Sequence, residues 1–383
     1  MSTLSFRLSW LPWFAVGCFQ AQTKVPPPTV ELGSDWEMEA DAPNDDGSDG
    51  ADGADGADGA DGADGGDGAD GGDGAGDGGD GADGGDGGDG GGDDGDEDPP
   101  CDEGFVCVRS FPHDDVNTTT GASSDLFDSY GCSPSTNESG PEVLYQVDLP
   151  SAGWLTLELL EAEMDATADI DVHLLRSLDS DDCVDRGHWM AGDLLTAGTW
   201  YVVADTWVSA TGDEQDGAFT LRFGFVSVDD MVADGMVRTV AEDALHAWDV
   251  AWDGGQVSRL AYAITDFSQH SSVARQWIYD MSTGELEWNL HVAHGEATSS
   301  ASDSGVSDTF SNTNESHQSS LGMMRAAETY TGDYGYSMRL DGMESAYNGR
   351  VRARAIVVHP WEGSRPEYVS RWGEAAPTWG CPA

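Results

Sequence analysis

Thr378-Trp379-Gly380-Cys381-Pro382-Ala383 are the last six residues, and upstream of them a β-patterned run, Arg354-Ala355-Ile356-Val357-Val358-His359, ends in histidine. A thiol needs a base to become a thiolate at neutral pH, and an imidazole brought beside it by the fold supplies one. The glycine before the cysteine lets the backbone turn tightly and come close to a substrate carbonyl. The two stretches together therefore point to a cysteine nucleophile, Cys381, with His359 as its base.

Working outward, further unusual strings appear in order: His291-Val292-Ala293-His294-Gly295, Phe310-Ser311-Asn312, Ser319-Ser320-Leu321-Gly322 and Tyr334-Gly335-Tyr336-Ser337-Met338-Arg339-Leu340-Asp341-Gly342. With Arg352–His359 and the Gly-Cys-Pro end they closely resemble the murein L,D-transpeptidase catalytic domain family, a branch of the YkuD-like cysteine transpeptidases, over about residues 236–383. The resemblance implies a thioester on Cys381 formed from a donor stem peptide of peptidoglycan, then transfer to an amine on another stem, with no metal or organic cofactor. It makes Cys381 the nucleophile, His359 the base, and the N–H groups around Gly380-Cys381 the oxyanion donors. The broader family commonly has a histidine two places before the cysteine. Here that place is Trp379, which resembles a Ser-Trp-Gly-Cys-Pro branch with Thr378 in place of serine.

His294 is the candidate for a second imidazole role, orienting substrate or the catalytic pair, with a hydrogen-bonded core histidine as the competing reading. Ser320, Asn312 and Thr378 are candidates for contacting the stem peptide, and a structural role in a loop competes for Ser320 and Asn312. His270, His291 and His317 read as structural or exposed. Family members continue past Gly-Cys-Pro-Ala with a helix and a final strand, so the sequence predicts a C-terminally truncated catalytic domain. A nearby free carboxylate would raise a thiol's pKa. Two alternatives stay open: an L,D-carboxypeptidase with water as acceptor, and a non-catalytic cell-wall-binding lipoprotein.

The chain of 383 residues has a formal charge of −56. Of its 72 acidic residues, 22 lie between Asp41 and Asp98, where there is no Lys or Arg, so about −34 remains elsewhere. So large an excess of acid argues against nucleic acid or an anionic membrane surface as partner. Residues 1–18 read as an export signal: Arg7, then a mostly apolar stretch from Leu8 to Val16, too short to span a bilayer. It ends in Ala15-Val16-Gly17-Cys18, which resembles a lipobox. Cleavage before Cys18 would lipidate it and anchor an exported protein in the cell envelope; ordinary signal peptidase cleavage nearby, or an uncleaved anchor, are the alternatives.

Residues 19–100 form a linker in which Gly-Ala-Asp and Gly-Gly-Asp triplets repeat. Such a segment buries no apolar surface, so the sequence predicts a disordered tether. Setting aside Cys18 and Cys381 leaves Cys101, Cys107, Cys132 and Cys183, enough for two disulfides in an oxidising compartment. We pair Cys101 with Cys107 and Cys132 with Cys183, although spacing alone does not fix connectivity, and three structural disulfides that include Cys381 are the competing arrangement.

Residues 101–227 alternate apolar and polar in short runs: Val143–Leu149, Leu155/Leu157/Leu159, Ile170/Val172/Leu174, Thr199–Val208 and Phe219/Leu221/Phe223/Phe225. Their spacing predicts a β-sandwich. Asn137–Glu142, Asp169–Leu174 and Gly198–Asp205 resemble the bacterial pre-peptidase C-terminal type of sandwich, a module that binds or stabilises in secreted hydrolases. Asp169, Asp171, Asp179, Asp181 and Asp182 could hold calcium, against the commoner reading of solvated loop acids.

From residue 228 to 383 the reading is a mainly β domain with a leading helix. Val237, Val240, Ala241, Ala244, Leu245 and Trp248 make one apolar stripe. Leu260–Phe267 predicts a strand, Gln276–Met281 and Leu286–Val292 a hairpin, Thr298–Ser320 a long polar loop, and Tyr336–Leu340 and Arg352–His359 two more strands.

Overall fold

The computed structural model describes residues 101–160, 163–300 and 304–379, and the backbone of Ala15–Phe19. Most of the leader, the acidic linker, and Gly380 and Cys381 lie outside the described residues. Among the described residues no helix is long and apolar enough to cross a membrane.

The alternating runs of residues 101–227 become two facing sheets. One has the order β3-β10-β5-β8, from β3 (His113–Thr118), β5 (Gly153–Leu159), β8 (Met190–Leu195) and β10 (Ala218–Ser227). The other has the order β2-β4-β9-β6-β7, from β2 (Phe105–Val108), β4 (Glu142–Leu149), β6 (Ile170–Leu175), β7 (Cys183–Gly187) and β9 (Gly198–Thr206). Register sets every second side chain inward: Leu221, Phe223 and Phe225 of β10 face Leu159, Leu157 and Leu155 of β5, and Val147 of β4 faces Trp200 of β9. These residues make one buried core between the sheets, as period-two patterning requires. Disulfides join Cys101 to Cys107 and Cys132 to Cys183, the second tying the loop before β4 to the start of β7.

The chain leaves β10 through a capping box. Ser227 Oγ accepts from the Asp230 N–H and the Asp230 carboxylate accepts from the Ser227 N–H, which starts α1 (Val228–Ala233). Then α2 (Arg238–Asp253) buries Val240, Ala241, Ala244, Leu245, Trp248 and Ala251, the stripe its sequence predicts. That stripe covers one face of a third sheet, of order β13-β12-β11-β1-β14-β15-β16. Its strands are β1 (Ala15–Phe19), β11 (Ala261–Asp266), β12 (Gln276–Asp280), β13 (Glu285–Leu290), β14 (Gly322–Gly332), β15 (Gly335–Gly342) and β16 (Val357–Val358). Tyr262, Ile264, Trp277 and Tyr279 pack toward the helix, while Ala263, Met324, Leu340 and Ile356 cluster on the far side.

The sandwich and this sheet share packing. Trp154 of β5 lies edge-on to Trp248 and Trp252, at ring separations of 6.3 and 5.3 Å, and Trp252 Nε1 donates to Asp185 Oδ2 at 3.1 Å. Gly284 has φ of +82°, and a Cβ there would fall 1.9 Å from the Phe225 carbonyl oxygen. Only glycine allows the β12–β13 turn to approach β10 so closely.

One reading is corrected. Arg352–Ile356 is not strand: residues 345–355 wind in successive turns, with Asn348 buried and its Nδ2 donating to the Leu321 and Met323 carbonyls. Only Val357–Val358 pairs in the sheet, because that buried asparagine and the positive φ of Ala355 (54°) hold the preceding residues out of register. A short helix, α3 (Pro366–Trp372), follows, starting at Pro366 and ending at Gly373 with φ of +81°. Finally, Ala15–Phe19 pairs in parallel with β11 and antiparallel with β14. Cys18 therefore sits mid-sheet in the uncut chain, opposite Thr265 and Gly322, and cleavage before it would withdraw Ala15, Val16 and Gly17 from the sheet.

Candidate active site

The segment that leads to Cys381 is held by backbone pairing. Thr378 is buried; its N–H donates to the His294 carbonyl at 2.8 Å and its own carbonyl accepts from the Glu296 N–H at 2.6 Å, a parallel bridge onto Gly295. The threonine hydroxyl lies 3.4 Å from the same His294 oxygen. Trp379 is exposed and stacks on His317 at 5.7 Å and 12°, and His317 Nδ1 lies 2.6 Å from Glu296 Oε1. Glu296 thus grips the segment twice, by its N–H and through His317.

His359 follows β16 and is buried. Its Nδ1 lies 2.9 Å from the Pro360 carbonyl oxygen, which can only accept, so Nδ1 carries the proton. Nε2 then keeps its lone pair, and it has no partner among the described residues. Tyr334, at the turn between β14 and β15, stacks on the imidazole at 4.6 Å, and Trp361 meets it edge-on at 6.3 Å. The loop after His359 reaches the Cys381 segment: Trp361 Nε1 donates to the Ala376 carbonyl at 3.0 Å, and the Ala376 N–H donates to the Gly363 carbonyl at 2.9 Å.

His294 is 1% exposed and both ring nitrogens are engaged. Arg275, itself fully buried, approaches Nδ1 at 2.7 Å. A guanidinium only donates, so Nδ1 accepts and the proton sits on Nε2, 3.1 Å from Ser299 Oγ. Burial, and then the adjacent guanidinium, push this imidazole down to about 4. It is a neutral group that organises the 293–299 segment, and its carbonyl carries Thr378. Arg275 also donates to the carbonyls of Gln269 (2.6 Å) and Val292 (3.2 Å).

Ser320 and Asn312 lie elsewhere in the network. Arg354 donates to Ser320 Oγ at 2.6 Å and to the Gln318 carbonyl at 2.6 Å, folding the polar loop around one guanidinium. Asn312 accepts from the Arg350 N–H at 2.9 Å and donates to the Ser345 carbonyl at 3.2 Å, tying that loop to the turns before β16. Of the acids considered for calcium, Asp179 caps a short 3-10 turn and Asp182 accepts from Ser177 Oγ. Asp169 and Asp171 instead converge with His188.

Sequence reasoning missed Arg275, Arg354, Tyr334 and the Glu296–His317–Trp379 stack. In a chain with only 16 basic residues, each arginine in an apolar stretch was a signal available to it.

Residues 233–383 match the family model described as the L,D-transpeptidase catalytic domain. The C-terminal region is thus similar to that family. The match supports a peptidoglycan transpeptidase-type function, cysteine-dependent, with peptidoglycan stem peptides as substrates and a place in the cell envelope. No curated protein matches the chain. Among solved structures, a periplasmic inhibitor of g-type lysozyme from Aeromonas hydrophila, PliG, is similar at 8% identity and a TM-score of 0.21, covering 32% of this chain and 96% of its own. The pre-peptidase C-terminal domain of a Bacillus anthracis collagenase is similar at 12% identity and a TM-score of 0.21, covering 31% and 95%.

Proposed function

We propose that this protein is an L,D-transpeptidase of peptidoglycan in which Cys381 is the nucleophile and His359 the base. His359 Nε2 takes the thiol proton, and the thiolate adds to the donor carbonyl. The tetrahedral oxyanion is met by N–H groups around Gly380-Cys381. Collapse breaks the donor amide, whose nitrogen leaves with the proton from His359, and a thioester remains on Cys381. An acceptor amine then attacks the thioester, gives its proton to His359, and expels the thiolate.

The observation that carries this reading is the His359 tautomer. With Nδ1–H bound to the Pro360 carbonyl, the open Nε2 lone pair is what a general base needs. The ties from Trp361 and Gly363 to Ala376 support a fixed geometry between that base and the segment leading to Cys381. The proposal extends to location: the exported chain is held to a membrane by lipid on Cys18.

The reading is tested by following tetrapeptide stems with the full chain. Cys381→Ala and His359→Ala should each lower turnover by several orders of magnitude, as loss of a nucleophile or its base does. Equal turnover by parent and Cys381→Ala removes the cysteine from the chemistry.

A further inference from the structure

The outer face of the five-stranded sheet carries a polar cluster that the transferase chemistry does not use. Asp169 directly precedes β6, Asp171 and His173 alternate along it on one face, and the ladder sets Arg186 of β7 opposite His173. His188 follows β7. Its Nδ1 lies 3.1 Å from Asp169 Oδ1 and 3.3 Å from Asp171 Oδ1. One N–H points along one line and cannot serve both oxygens well. Asp171 Oδ1 is in fact buried without a hydrogen bond.

A second, independent observation lies behind these three residues. His173 is fully buried, stacked on Tyr130 at 3.5 Å, and neither of its ring nitrogens has a hydrogen-bond partner. Glu138, also fully buried, lies 3.8 Å away through Oε1, and its Oε2 is likewise unbonded. Buried polar groups are almost always satisfied, so the orphaned Asp171 Oδ1, which belongs to the three-residue cluster itself, is the atom that calls for a ligand. Arg186 is the cation in contact, and it serves Asp171 Oδ2 and Glu138 Oε1, leaving Asp171 Oδ1 open.

We propose that Asp169, Asp171 and His188 bind one divalent transition-metal ion of the zinc type. Donor atoms on a four-coordinate zinc with bonds of about 2.0–2.1 Å stand about 3.3 Å apart. The two nitrogen–oxygen separations here match that edge. One imidazole with two carboxylates is a zinc-type donor set, whereas calcium takes six to eight oxygens at longer range. His188 and Asp169 are partly exposed, which opens the fourth position to water and gives the ion a way in. Arg186 on Asp171 Oδ2 fixes the carboxylate so that Oδ1 faces the site, the outer-shell role that orients metal ligands. Cys132 and Cys183, whose sulfurs also approach His173, are joined in a disulfide and offer no thiolate. The assignment stands apart from the peptidoglycan reading and survives its failure.

The test is titration of the full chain with Zn²⁺, Ca²⁺ and Mg²⁺, followed by calorimetry, with Co²⁺ absorption as a direct sign of imidazole ligation. Parent protein should take up one Zn²⁺ that His188→Ala and Asp169→Asn weaken by at least about tenfold. Both positions are partly exposed, so the variants should keep the parent's circular dichroism. Zinc held by the Cys381 thiol would instead vanish in Cys381→Ala and persist in His188→Ala. Zinc uptake that His188→Ala leaves unchanged, or a preference for Ca²⁺ over Zn²⁺, overturns the proposal.

Discussion

Acidification should destabilise this protein through His294, and the size of the effect follows from its surroundings. Nδ1 accepts from Arg275, so a proton there would break that hydrogen bond and set two buried cations against each other. The folded imidazole is accordingly pushed down to about 4, from an ordinary value near 6.5. Below about pH 6.5 the unfolded chain takes up a proton that the folded chain refuses, so stability falls as pH drops toward 4. At about 1.4 kcal/mol per tenfold change, the full loss approaches about 3 kcal/mol. Buried carboxyls act in the opposite sense across this window: Asp205 and Asp193 are raised to about 10 and about 6, chiefly by burial, so acid relieves them. The expectation is therefore a difference between two proteins. His294→Asn keeps an acceptor for Arg275 and cannot titrate. Between about pH 7 and about pH 4.5, urea unfolding of the parent should lose about 2 kcal/mol more than the variant loses. Equal losses, or a His294 nuclear magnetic resonance titration centred near its ordinary value, would refute the argument.

Other expectations concern packing, the clamp and processing. Trp154→Ala opens a cavity where the sandwich meets α2 and should cost about 3–5 kcal/mol in denaturant unfolding; a cost under about 1 kcal/mol would mean the two regions are not packed as described. His317→Ala removes the ring under Trp379 and should slow thioester formation while leaving the melting temperature nearly unchanged; an unchanged acylation rate would leave the stack without a positioning role. If Cys18 is lipidated, intact mass of the membrane fraction should show a chain beginning at Cys18 with a diacylglyceryl adduct. A chain retaining Ala15–Gly17 would rule the anchor out and keep β1 in its sheet.

Much of the scaffold was legible because period is a local property. The alternation in Val143–Leu149 and Phe219–Phe225 and the stripe from Val240 to Trp248 each report one buried face without knowledge of its partner. Arg352–Ile356 was misread because its turns depend on Asn348 reaching Leu321 and Met323, a long-range tie that no local pattern carries. α3 was missed although Pro366 and Gly373 mark its two ends, since seven residues show too little periodicity to stand out. The site divided along the same line. His359 was legible as a histidine ending a β-patterned run, but its tautomer comes from the Pro360 carbonyl and its stacking from Tyr334. His294 was legible as a candidate second imidazole; the buried Arg275 that makes it a neutral scaffold lies just before β12, 19 residues earlier in the chain.

The central claim is that Cys381 becomes a thiolate through His359 and accepts an acyl group. A carbapenem-type β-lactam reacts with a competent thiolate, and intact-mass and peptide mass spectrometry locate the adduct. The account predicts one adduct per chain, on Cys381, absent in Cys381→Ala and slowed by several orders of magnitude in His359→Ala. A parent chain that stays unlabelled, or labelling that His359→Ala leaves as fast as before, would contradict it.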